Sequence, residues 1–190
     1  MPRAALSPAA VVDAALALVD EVGLEALTLA QVAQRTGVAA PSLYKHIDGL
    51  AALRRALRLR VLHEVADRTR RQVVGRSGDV AVRALADAYR EYMLRHPNRY
   101  PLVEEAVQPS DEVLHAASAE LVDIIFTVLS AYRLDADELV HATRGLRALV
   151  GGFVRLESRG GFGMPQRVDE SFAYLIDVYL AGLAGRRSGG

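Results

Sequence analysis

Apolar residues recur at spacings of three and four along nearly the whole chain, and alternation at period two is never sustained. Val12, Ala15, Leu16 and Val19 form one such stripe near the N-terminus. This spacing is typical of amphipathic helices, because it places the apolar side chains on one helical face. The pattern predicts an all-α protein with about nine helices.

Capping residues, glycines and prolines mark where these helices begin and end. Ser7 precedes Pro8 as an N-cap, and Gly23 supplies the stop. Thr28 and Gln31 have the spacing of a capping box, and Gly37 suits a left-handed turn. The predicted helices cover about residues 8–22, 28–36, 40–46, 49–71, 79–95, 100–107, 111–132, 135–158 and 168–184.

The stretch Gly75-Arg-Ser-Gly78 is the best boundary in the chain. We therefore expect an N-terminal three-helix domain over residues 1–70, which a long fourth helix joins to a helical domain over residues 75–190.

The segment from Leu27 to Leu57 has the order helix, turn, short helix, long helix, which is typical of a helix-turn-helix. The short second helix of such a pair lies in a DNA major groove. Here Leu43 and Ile47 would face the core, while a hydroxyl, an aromatic ring, a cation and an imidazole would face outwards. DNA reading is therefore a hypothesis at this point, because a short amphipathic helix beside a turn is common in helical proteins.

Charge and composition set limits without naming a partner. The 190 residues include 23 Lys and Arg against 23 Asp and Glu, and Lys45 is the only lysine. The absence of Cys excludes disulfides and thiolate metal sites. No signal-peptide pattern opens the chain, and no run of about 18 apolar residues occurs, so we expect a soluble cytoplasmic protein.

The run from Val11 to Leu53 resembles the DNA-binding domain of the TetR family of repressors. The resemblance lies in Gly23 followed by Leu27-Thr28, in Val32-Ala33, in Gly37-Val38 and in Leu43-Tyr44-Lys45-His46. It implies a homodimeric repressor that binds a palindromic operator and is released when its helical C-terminal domain binds a small-molecule inducer.

The resemblance also implies which residues touch DNA. Thr28 would contact phosphate, and Tyr44 and His46 would fix the backbone. Base-facing positions would be Ala39, Ala40, Pro41, Ser42 and Lys45.

Two positions depart from the family pattern. Leu50 and Ala30 stand where a basic residue is common, so the phosphate near Leu50 would need backbone N–H groups instead. Arg3 and Arg54 could add contacts, although a solvated tail and a solvated helix face are the simpler interpretations.

The C-terminal half carries weaker signals. The family resemblance places a dimer interface on the last two helices, with candidates Gly151, Gly152, Phe153, Leu156, Phe172, Leu175, Ile176 and Tyr179. Ligand pockets are mostly apolar with a few polar groups. Candidates for the pocket are Tyr89, Tyr92, Met93, His115, Phe126, His141, Arg144 and Arg147. Arg147, if buried, would favour an anionic ligand.

Other classes of function have little support. Asp111 with His115, and Asp137 with His141, have helical spacing that allows a metal, but such pairs arise easily by chance. We expect no metal, no cofactor and no catalytic site. Two alternatives stay open: a DNA-binding regulator of this fold without a small ligand, controlled by a protein partner, and a helical enzyme or carrier.

Overall fold

A computed structural model describes residues 6–186, with side chains through residue 185, so Arg3 lies outside the described residues. Within that range the chain forms nine α-helices and no strand, which confirms the predicted all-α fold. The helices are α1 (Pro8–Val22), α2 (Leu29–Thr36), α3 (Ala40–Leu43), α4 (Gly49–Val73), α5 (Gly78–Arg95), α6 (Tyr100–Glu104), α7 (Glu112–Leu129), α8 (Ala136–Ser158) and α9 (Val168–Arg186).

The capping signals act as the sequence predicts. The Ser7 hydroxyl accepts a hydrogen bond from the Ala10 N–H at 3.2 Å. The Thr28 hydroxyl accepts from the Gln31 N–H at 3.3 Å, and the Gln31 side chain accepts from the Thr28 N–H at 2.8 Å. Gly37 has φ 68° and ψ 29°, the left-handed conformation that ends α2.

Three predicted helices are shorter in the structure. The third helix, predicted over residues 40–46, ends at Leu43, and residues 44–46 continue as hydrogen-bonded turns. The sixth helix ends at Glu104 because Glu105 adopts an extended ψ of 135°. The seventh ends at Leu129 and tightens into a 3₁₀ turn over Ser130–Tyr132.

The chain divides into two compact units. The first comprises residues up to His63 together with His96–Ala117, and its core is built on α1–α4 and α6. The core side chains of this unit include Val11, Val19, Leu27, Val32, Leu43, Leu53, Leu57 and Leu102. The segment His96–Ala117, which the sequence places in the C-terminal domain, therefore clusters with the helix-turn-helix.

The second unit comprises Glu64–Arg95 and the residues from Ser118 onward. Here α5 packs against α8, and α8 against α9. Arg90 of α5 donates to Glu157 at the end of α8 and to Asp169 at the start of α9, at 2.8 Å in each case. Its guanidinium also lies 4.7 Å from the centroid of the Phe172 ring. Arg90 thereby fixes the two ends of the α8–α9 connection.

One stretch among the described residues, Glu112–Tyr132, is long and apolar enough to cross a membrane by length and composition alone. A core helix of a soluble protein passes the same test, so this stretch is weak support for a membrane span.

Candidate nucleic-acid interface

The recognition segment, residues 39–46, is held on the protein by one buried side chain. Leu43 is 0% exposed and lies in the core that Val32 and Leu53 also enter. The Val38 N–H donates to the Ala33 carbonyl at 3.1 Å, which closes the turn between α2 and α3. The Ile47 N–H donates to the Leu43 carbonyl at 3.0 Å and holds the other end. The segment is therefore anchored at both ends and by its inward face.

Most residues predicted to contact DNA lie on the opposite, outward face. The exposed members are Ala39, Ala40, Pro41, Tyr44 and Lys45, and the half-buried ones are Ser42 and His46. Ala39, Ala40 and Pro41 lie at the start of this face, and Tyr44 and Lys45 lie in the hydrogen-bonded turns that follow α3. The structure thus brings the predicted base-facing residues together on one small surface, and their contacts with DNA stay predictions.

Thr28 and Leu50 occupy different settings at the rim of this surface. Thr28 is exposed, but its hydroxyl donates to Gln31 Oε1 at 2.8 Å. It can donate to phosphate only after releasing that hydrogen bond. Leu50 is half-buried near the start of α4, so its side chain offers no polar contact.

The arginines near the surface are committed to other partners. Arg54 donates to the Leu24 carbonyl at 3.3 Å and lies 3.8 Å from the Glu25 carboxylate, which favours a structural role for it. Arg35 forms a hydrogen-bonded ion pair with Glu21, and this pairing lowers the pKa of the Glu21 carboxyl.

The segment His96–Ala117 is tied to α1 through Asp20. Arg99, 8% exposed, donates to both Asp20 oxygens, at 2.8 Å and 2.6 Å. His96 Nδ1 lies 3.1 Å from the same carboxylate, and the Asn98 amide donates to the Asp20 carbonyl at 2.9 Å. One residue of α1 therefore holds three residues of the segment.

The same segment is tied to α4 through two further arginines. Arg58 donates to the carbonyls of Leu102, Glu105 and Ala106, which satisfies the free end of α6. Arg55 forms a two-point pair with Asp111, at 2.6 Å and 2.8 Å. These hydrogen bonds, with one from a backbone N–H, lower the pKa of Asp111 to about 2.

The residues predicted to line a ligand pocket do not share one environment. Tyr92 and Met93 are buried on α5, and Tyr89 and Phe126 are half-buried. The remaining candidates are exposed: His115, His141, Arg144 and Arg147. Because Arg147 is exposed, the condition for an anionic ligand is not met. The other ligand assignments stay predictions.

The predicted dimer residues likewise divide into two sets. Phe172, Ile176 and Gly151 are buried within the second unit. Exposed or half-buried positions are Gly152, Phe153, Leu156, Leu175 and Tyr179. Sequence reasoning missed Tyr174 and Val178, which are 70% and 53% exposed on the outer side of α9. Their spacing of four residues places them on one face of α9, and this spacing is the sequence signal that could have identified them.

A groove of about 260 Å³ lies between the first half of α8 and the end of α9. His141, Glu138 and Gly145 line it from α8, and Tyr179 and Gly182 from α9. The Tyr179 hydroxyl donates to the Ala142 carbonyl at 2.9 Å, and burial raises the pKa of Tyr179 to about 12. Within the described residues, no group of three or more His, Asp or Glu side chains could hold a metal ion.

Comparison with known proteins gives two matches along the chain. Residues 11–57 match the family described as bacterial regulatory proteins, tetR family. Residues 82–179 match the family described as tetracyclin repressor-like, C-terminal domain.

Two curated relatives agree with these matches. The uncharacterized HTH-type transcriptional regulator YobS of Bacillus subtilis (strain 168) is 32% identical over 96% of this chain and 95% of its own. The uncharacterized HTH-type transcriptional regulator Rv0681 of Mycobacterium tuberculosis (strain ATCC 25618 / H37Rv) is 36% identical over 83% and 72%.

Among solved structures, TetR-Q116A from Acinetobacter baumannii AYE in complex with minocycline has a TM-score of 0.71. It is 24% identical, covers 96% of this chain and 98% of its own, and supports the fold alone. The family comprises transcriptional regulators, which are generally not enzymes. Its members bind DNA operators, typically as dimers, with small-molecule ligands. The chain belongs to the TetR family of DNA-binding transcriptional regulators.

Proposed function

We propose that this regulator is a cytoplasmic repressor that binds a near-palindromic operator as a homodimer and is released by a small-molecule inducer. The observation that carries the proposal is the outward face of residues 39–46, which is exposed while Leu43 anchors it from behind. A segment with an exposed outer face and a buried anchor fits the second helix of a helix-turn-helix in the major groove.

The dimer part of the proposal rests on the outer sides of α8 and α9. Gly152 and Gly182 lie inside these helices, and a Cβ added to either would meet nothing within 4 Å of this chain. Glycine inside a helix costs about 1 kcal/mol relative to alanine, so a glycine there needs a reason. Packing within the protomer gives none for Gly152 or Gly182. Close approach of a second copy gives one. Exposed Tyr174, Val178 and Leu156 supply apolar area beside them.

The inducer part rests on the second unit and on the family. The solved structure with minocycline shows that one protein of this fold takes a small molecule. In this chain, Tyr92 and Met93 offer buried walls for a pocket, and Tyr89 and Phe126 offer half-buried ones.

Operator binding is tested by selecting bound sequences from random duplex DNA at about 0.15 M salt. The protein is purified in denaturant and refolded, so that no co-purified ligand remains. Wild type is expected to enrich a near-palindrome with two short half-sites, and Lys45→Ala to weaken or relax it. Arg76→Ala, which removes an exposed cation outside the recognition segment, is the matched control. Failure of wild type to enrich any sequence contradicts operator binding.

The dimer interface is tested by sedimentation velocity. Tyr174→Asp places a charge on the outer side of α9 and is expected to yield monomers that no longer retain the palindrome. Val74→Asp, at a similarly exposed apolar position after α4, should leave the dimer intact. A Tyr174→Asp protein that sediments as a dimer would place the interface elsewhere.

The inducer is sought by adding candidate compounds to the complex with the selected operator. A compound that releases wild-type protein should also raise its melting temperature without DNA, because a ligand that binds only the folded state stabilises it. Release without such a shift would mean that the compound acts on DNA.

A further inference from the structure

The recognition segment presents an unusually apolar leading edge. Ala39, Ala40 and Pro41 are all exposed, and together they offer two methyl groups and a pyrrolidine ring. The Ser42 N–H donates to the Ala39 carbonyl at 2.8 Å, so this edge is held in a defined turn. The polar members of the outward face, Tyr44 and Lys45, follow in the hydrogen-bonded turns after α3.

The side chains that read bases by paired hydrogen bonds are missing from the leading edge. Arginine or lysine reads guanine, and asparagine or glutamine reads adenine, through two hydrogen bonds each. Residues 39–41 contain none of these four types, and Lys45 follows later in the segment. The leading edge therefore has no side-chain donor or acceptor at residues 39–41, and its contribution to base discrimination must come from shape and apolar contact.

In the major groove, the thymine C5-methyl is the base-edge group suited to apolar contact. We propose that Ala39, Ala40 and Pro41 read thymine methyl groups, so that each operator half-site carries at least two neighbouring A·T pairs opposite them. This inference rests on the proposed function and specifies the bases that the same surface selects.

The methyl groups can be removed one at a time from the selected operator. Replacing a thymine with deoxyuridine deletes the C5-methyl and keeps every hydrogen-bonding group. Loss of one buried methyl should weaken binding about fourfold, and loss of the equivalent methyl in both half-sites about 15-fold. Fluorescence anisotropy measures these ratios on duplexes that differ at single positions. Two or more adjacent sensitive thymines in each half-site are expected.

Protein variants assign the sensitive positions. Ala40→Gly removes the partner methyl, so one thymine should become insensitive to deoxyuridine replacement, and Pro41→Ala should do the same for its neighbour. Ala10→Gly removes an exposed methyl from the first turn of α1 and should leave all sensitivities unchanged. Circular dichroism checks that each variant is folded.

The outcomes separate this inference from the function on which it rests. A palindrome whose half-sites tolerate deoxyuridine at every thymine leaves operator binding standing and overturns thymine reading. Sensitive thymines that stay sensitive in both Ala40→Gly and Pro41→Ala overturn the residue assignment. If no sequence is enriched, operator binding fails and thymine reading fails with it.

Discussion

Operator binding should depend only weakly on salt, because the first unit has few cations available for phosphate. Within its described residues, six arginines lie within salt-bridge distance of a carboxylate of the same unit: Arg35, Arg54, Arg55, Arg58, Arg60 and Arg99. Lys45 is exposed and has no such partner among the residues that the structure describes. The salt dependence therefore measures what Lys45 contributes.

The size of the effect follows from counterion release. Each phosphate that a protein cation neutralises contributes about −0.9 to the slope of log K against log salt. One Lys45 per protomer gives a slope of about −1.8 for a dimer, or a loss of about 12-fold between about 50 mM and 200 mM salt. A protein with six to ten phosphate contacts would lose about 10³–10⁵ over the same interval.

Anisotropy titrations of a labelled operator across that interval measure the slope. Lys45→Ala should bring it close to zero if Lys45 contacts phosphate, with affinity falling alike on all sequences. If Lys45 instead reads a base, its loss should relax the sequence preference at one position. A phosphate contact from Arg3 in each protomer would steepen the wild-type slope from about −1.8 to about −3.6, and Arg3→Ala would return it to about −1.8. A slope steeper than about −5 that Lys45→Ala leaves unchanged would refute the reasoning, because the paired arginines would then be contacting phosphate.

Three further predictions concern stability. Asp20→Asn leaves the buried Arg99 guanidinium without its carboxylate and should lower the free energy of unfolding in urea by about 1–3 kcal/mol. Asp13→Asn, which removes the carboxylate of an exposed pair with Arg60, should lower it by less than about 1 kcal/mol. Asp111 has a pKa of about 2 in the folded protein, below its usual value of 3.8. Its contribution to the free energy of unfolding is therefore present above about pH 4 and is lost as the pH falls towards 2. Melting curves across that range should show less pH dependence for Asp111→Asn than for wild type. Tyr179→Phe removes the hydrogen bond to Ala142 and should lower the free energy of unfolding by about 1 kcal/mol at neutral pH, measured by thermal unfolding. Because burial raises the Tyr179 pKa to about 12, the greater stability of wild type should persist to about pH 10 and decline as the pH rises towards 12. Equal stability of Tyr179→Phe and wild type would argue that water replaces the lost bond.

The helix-turn-helix could be predicted from sequence because its signals are local. Ser7 caps α1, Thr28 and Gln31 form the capping box, and Gly37 adopts the left-handed turn. Each signal involves residues within four positions of one another, so local hydrogen bonding and backbone conformation determine the outcome. The length of the recognition helix was less predictable, because residues 44–46 keep hydrogen-bonded turns without a regular helix.

The placement of His96–Ala117 could not be predicted in this way. The pairs that hold it in the first unit join residues far apart in sequence, Asp20 with Arg99 and Arg55 with Asp111. Neither periodicity nor capping marks such a partnership, because any exposed arginine and carboxylate look alike in sequence. The predicted domain boundary at residues 70–75 stays a prediction, and the two compact units divide the chain at other positions.

The two faces of α9 were ambiguous for a different reason. Phe172 and Ile176 form one stripe of spacing four, and Tyr174 and Val178 form another. Both stripes are apolar, so the sequence predicts two packed faces without saying which one faces the chain's own core. The structure buries the first stripe and leaves the second exposed. In the proposed dimer, the second stripe faces the other subunit.

The paired arginines of the first unit bear directly on how the proposed repressor would find its operator. Binding to random DNA is almost entirely electrostatic, so a reading surface with few available cations should bind random sequences weakly. Discrimination would then depend on contacts that exist only at the correct sequence, such as methyl groups packed against Ala40 and Pro41. Because those contacts are short-ranged, they add affinity only where the groove surface fits. For this protein, the ratio of operator affinity to random-sequence affinity should therefore stay nearly constant as the salt concentration is lowered. For a strongly cationic reader, the affinity for random DNA would rise steeply under the same change.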